Sequence, residues 1–67
     1  MVNINMLELR LIVDNVKRFG GYREKTILKN LLVIELEDNN ENHKVYVFRD
    51  SQENYFKYDF KTHLIVG

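Results

Sequence analysis

The sequence predicts an all-β domain. It reads as a four- or five-stranded antiparallel meander, closed into a small barrel or completed as a sheet by dimerisation, with residues 51–60 open between a strand and one short helix. Three observations predict it. Apolar residues alternate from Leu7 to Val13, the dipeptide Gly20-Gly21 stands where a hairpin would turn, and a second alternating pair of segments flanks the polar cluster Asp38–Asn42.

The first strand places Leu7, Leu9, Leu11 and Val13 on one face and Glu8, Arg10, Ile12 and Asp14 on the other. Two glycines at the centre of a two-residue loop supply the positive φ angles of a type I′ turn. Setting Phe19 opposite Tyr22 then matches Val13 with Leu28, Leu9 with Leu32 and Leu7 with Ile34, a register that a one-residue slip would destroy. The segment from Leu31 to Glu37 continues as strand into the turn-forming cluster Asp38-Asn39-Asn40-Glu41-Asn42. Across that turn, Leu32, Ile34 and Leu36 share a face with Val45 and Val47, and Leu31 and Val33 share the other with Tyr46 and Phe48. In the last third, Asp50-Ser-Gln-Glu53 has the form of a helix-opening capping box. The alternation of Phe56, Tyr58 and Phe60 with Lys57, Asp59 and Lys61 favours a strand instead. Leu64-Ile-Val66 extends that strand or begins a last one. The aromatic set Tyr46, Phe48, Phe56, Tyr58 and Phe60 is assigned to a core or a subunit interface.

Composition narrows the function classes. The 67 residues carry ten Lys or Arg against ten Asp or Glu and contain no Cys, Pro or Trp. They read as one small domain over residues 1–67, without disulfides or thiol chemistry. Below about 70–80 residues a lone core rarely supplies more than about 3–5 kcal/mol, so a homo-oligomer is expected. Zero net charge speaks against coating nucleic acid through bulk electrostatics. The charges at Glu8 and Arg10 break the first apolar stretch, so neither a leader nor a membrane span is expected, and the expected address is cytoplasmic.

Residues with possible chemistry have simpler readings. His43 and His63 lack any paired ligand spacing, so no metal is expected, even with Asp38, Glu41 or Asp59 as a third ligand. Nothing around Ser51 resembles a nucleophile motif, and the carboxylates of residues 35–41 read as a solvated rim. No catalytic residue, cofactor or enzymatic activity is expected.

The informative feature is the layout of charge. Lys17, Arg18, Arg23 and Lys25 stand against Glu24 around Phe19 and Tyr22, an excess of three positive charges, while Glu35, Glu37, Asp38 and Glu41 form an acidic stretch without a base. Such a layout can simply solvate hairpin ends and guard edges. It can also bind: Arg and aromatic residues anchor protein interfaces, and the same hairpin could meet phosphates and stack on a base. The expected role is a protein-binding module, accessory, regulatory or inhibitory. It docks through Lys17, Arg18, Phe19, Tyr22, Arg23 and Lys25, with Glu37, Asp38 and Glu41 as a secondary acidic surface. Nucleic-acid binding by the same hairpin is the alternative.

Overall fold

The computed structural model describes residues 4–67. Two helices, α1 (Met6–Phe19) and α2 (Tyr22–Lys29), precede four strands, β1 (Leu31–Asn39), β2 (Lys44–Asp50), β3 (Tyr55–Asp59) and β4 (Leu64–Ile65). The strands form one antiparallel sheet in the order β1-β2-β3-β4, left open because β1 and β4 do not pair. The all-β expectation is therefore wrong. The domain is an open meander with a helical pair on one face, and the first hairpin does not exist.

The physical reason lies in which apolar residues are buried. Ile12 and Val16, both 0% exposed, are the fully buried residues of α1, yet an alternating strand puts Ile12 on its polar side. Their four-residue spacing makes one helical face, which Leu9 extends, whereas Leu7 and Leu11 are exposed. Asn5 caps α1, its Oδ1 accepting from the Leu7 amide at 2.7 Å. Glu8 in the first turn and Lys17 and Arg18 in the last complement the helix dipole.

Neither glycine takes a positive φ. Gly20 (φ −77°, ψ 158°) and Gly21 (φ −82°, ψ 178°) are extended and form a corner between helices. Gly20 is needed for close approach: its amide donates to the Val16 carbonyl at 2.8 Å, and a Cβ there would stand 2.6 Å from that oxygen. Gly21 is the N-cap of α2, where Glu24 Oε1 accepts from the Gly21 amide at 2.9 Å. This is one half of a capping box, because glycine has no side chain to complete the other. Asn30 closes α2, its amide donating to Thr26 and Ile27 carbonyls, and the chain enters β1 directly.

The second hairpin forms with a four-residue loop, Asn39 pairing with Lys44. Its facing differs from the sequence expectation. Leu36 stands opposite Tyr46 and Ile34 opposite Phe48, so these residues share the helix-covered face, while Val47 stands opposite Glu35 on the other. A register shift between Leu36 and Asp38 is the cause. One extra residue there reverses the facing of everything beyond it.

The core joins Ile12, Val16 and Ile27 of the helices to Ile34, Tyr46, Phe48, Phe56 and Tyr58 of the sheet. Phe48 and Phe56 stack with ring centroids 5.0 Å apart. Phe60 is half-buried against this cluster. Two polar ties fix α1 on the sheet. Asn15 Nδ2 donates to the Tyr58 hydroxyl at 2.7 Å, and the Glu8 carboxylate accepts from Lys44 Nζ at 2.6 Å and from the Tyr46 hydroxyl at 3.1 Å. The Glu8 hydrogen bond raises the Lys44 pKa above its ordinary value, and burial raises those of Tyr46 and Tyr58.

The face without helices carries one buried hydrophobic residue among charged ones. Val47, at its centre, is 5% exposed. Val47 stands opposite Glu35 and Lys57, and on the same face Glu35–Arg49 (3.8 Å) and Glu37–Lys57 (2.9 Å) pair across the strands. Asp50-Ser-Gln-Glu53 is a turn, not a helix start. Asp50 Oδ1 accepts from the amides of Gln52 and Asn54, both at 2.9 Å, and Glu53 takes φ 67°.

Candidate functional site

The cationic aromatic cluster lies at the corner between α1 and α2. Lys17, Arg18 and Phe19 end α1, and Tyr22, Arg23 and Lys25 open α2, brought together by the two extended glycines. Phe19 and Tyr22 are 79% and 86% exposed, in contrast to the buried aromatic residues of the sheet.

The corner sits at a definite place on the sheet. Glu8, early in α1, bonds Lys44 and Tyr46 near the β1–β2 turn, and Arg23, early in α2, donates through Nη2 to the carbonyl of Tyr55 at the start of β3. The corner and the acidic turn therefore occupy opposite ends of the molecule, although no strand connects them as the hairpin reading required.

The cations have different duties. Arg23 belongs to the fold: besides its bond to Tyr55 it stands 3.7 Å from Glu24 and adds to the positive field on Asp50. Burial alone would raise the Asp50 pKa, but hydrogen bonds from Asn54 and Gln52, with the Arg23 charge, bring it below the ordinary value. Arg18 stands 3.7 Å from Asp14 in an exposed i,i+4 pair, an arrangement worth little. Lys17 and Lys25 make no ion pair among the described residues.

One more cation belongs to the site. Lys29 follows Tyr22 and Lys25 at helical spacing, and these three with Thr26 and Asn30 line an open depression of about 470 Å³ on the outward side of α2. Only the 3.6-residue period links Lys29 to the corner, so a strand reading misses it. On the other side of the corner, Leu7, Arg10, Leu11, Asp14 and Lys17 border a larger open trough of about 690 Å³ along α1.

The acidic surface is weaker than its sequence implies. Glu37 is paired with Lys57, and Asp38 accepts from Asn40 Nδ2 at 3.0 Å. Lys61 Nζ clamps the turn through the carbonyls of Asn40 (2.5 Å) and Glu41 (3.1 Å). Beside it, Asp59 is 2% exposed and accepts from His43 Nδ1 at 2.5 Å and from the amides of Lys44 and Lys61 at 3.2 and 3.0 Å. The His43 bond, assisted by the backbone amides and opposed by burial, holds the Asp59 carboxyl far below the usual carboxylate range. His43 is thus engaged with Asp59. Among the described residues, no three His, Cys, Asp or Glu side chains assemble a metal-holding cluster. No helix among them is long and apolar enough to cross a membrane.

No family model matches the chain, and neither a curated protein nor a solved structure matches it.

Proposed function

We propose that the chain is a non-enzymatic protein-binding module, accessory or regulatory in role, that docks through the corner between α1 and α2. The carrying observation is the pair Phe19 and Tyr22, two large aromatic side chains held in solvent at the corner between the helices with cations on both sides. Aromatic residues of this kind anchor protein interfaces, since each buries much area at small entropic cost. Self-association remains part of the proposal as an accompaniment of docking, supported by the chain's small size. A cytoplasmic address belongs to the same reading and rests on the cysteine-free composition.

The corner as drawn from sequence included Arg23, whose bond to Tyr55 makes it a poor probe of binding. The test is affinity capture from nuclease-treated lysate with the tagged chain and with its Phe19→Ala, Tyr22→Ala double variant. Both positions are solvated, so the variant unfolds at the temperature of the parent. The expected result is loss of a protein partner that the parent retains; identical captured sets would overturn the docking site.

A further inference from the structure

We infer that what docks at the corner is an acidic protein segment lying along the outward side of α2, an inference that rests on the docking role proposed above. Its basis is the distribution of charge that the helix creates. Tyr22, Lys25 and Lys29 form one stripe, and the lysines, four residues apart, are separated by about 6 Å along the helix axis. The single carboxylate of α2 is turned away from that stripe. Glu24 is 17% exposed at its side chain and is held by the Gly21 amide, so it does not neutralise the lysines. Lys17, Lys25 and Lys29 have no acidic partner among the described residues.

The complementary surface is therefore acidic, with carboxylates about one helical turn apart facing Lys25 and Lys29 and an apolar flank against Tyr22 and Phe19. A helix with Glu or Asp at i, i+4 presents that pattern. Protein is favoured over nucleic acid on two grounds. The exposed cations are few in a chain of zero net charge, and the exposed rings of Tyr22 and Phe19 offer area to an apolar flank that a phosphate backbone lacks.

The probe is a fluorescently labelled amphipathic peptide with Glu at i, i+4 spacing beside a row of Leu, compared with its Glu→Gln counterpart and with duplex and single-stranded DNA. Binding is read by anisotropy. The Glu peptide is expected to bind and the Gln peptide not, and the Lys25→Glu, Lys29→Glu variant is expected to weaken binding by about ten-fold or more. Circular dichroism and thermal unfolding confirm that this variant is folded. No binding of the Glu peptide, equal binding of the Gln peptide, or an unchanged affinity of the lysine variant would overturn the inference. Tighter binding of DNA, with a log–log salt slope of about −2 for the lysine–phosphate contacts of Lys25 and Lys29, would overturn it in favour of nucleic acid.

The lysate capture separates the two levels of argument. A partner lost by the aromatic double variant but kept by the lysine variant leaves the docking corner standing and removes the acidic stripe. A partner kept by both removes the docking corner itself.

Discussion

Replacing Gly20 by alanine tests the helical corner at its tightest point. The new Cβ would lie 2.6 Å from the Val16 carbonyl oxygen and 2.9 Å from Val16 Cγ1. Val16 is fully buried, and its carbonyl accepts the last hydrogen bond of α1 from the Gly20 amide at 2.8 Å. Relief must therefore shift backbone and strain that bond. Overpacking of this kind costs about 1–3 kcal/mol, a large part of the about 3–5 kcal/mol that a core of this size supplies. In a domain this small each kcal/mol moves the Tm by about 4–8 °C. Gly20→Ala is thus expected to lower it by about 5–20 °C in thermal unfolding followed by circular dichroism. Gly21→Ser is the control. Residue 21 has the extended backbone that an N-cap serine adopts, and the hydroxyl would supply the missing half of the capping box, stabilising by a few tenths of a kcal/mol. A type I′ hairpin would respond differently, since it needs positive φ at both positions and both variants would suffer alike. Equal losses at 20 and 21, or a Gly20→Ala protein as stable as the parent, would refute the corner.

Three further outcomes follow from the packing and electrostatics. Phe56→Ala removes a fully buried ring stacked on Phe48; its cost of about 3–5 kcal/mol matches the whole stability, so the variant is expected to lack a cooperative transition at 25 °C in urea. Glu53→Gly, at φ 67°, relieves a left-handed backbone and is expected to stabilise by about 1 kcal/mol; a loss of stability would show that the turn needs the glutamate side chain. For Asp59 the folded pKa lies below the unfolded value of about 3.9, so its contribution is present above that pH and lost as pH falls below it. Chemical denaturation from pH 7 downward should show stability falling below about pH 4, with Asp59→Asn less stable at neutrality and less acid-sensitive; parallel pH profiles for the two proteins would remove Asp59 from this role.

Several features of this protein are determined by its sequence alone. The polar cluster of residues 38–42 marks where the chain reverses, although its first two residues still pair in β1, the alternation around it points to antiparallel strands, and the aromatic residues Phe48, Phe56 and Tyr58 go to the core. The cationic aromatic cluster is likewise fixed by composition, because residues 17–25 stay close together in either a hairpin or a helical corner.

Tertiary structure decided the rest. Residues 7–16 carry both periods at once, and the choice fell to the helix because the sheet already has a face of large rings onto which Ile12 and Val16 pack. Local pattern contains no record of that face. The bulge between Leu36 and Asp38 is equally invisible to alternation, yet it reverses the facing of the hairpin and puts Val47 on the face without helices, opposite Glu35. Helix formation likewise rotated Glu24 inward, brought Lys29 into line with Tyr22 and Lys25, and committed Arg23 to Tyr55. Which charges are free to bind is a property of three-dimensional pairing, and the sequence supplies only their number.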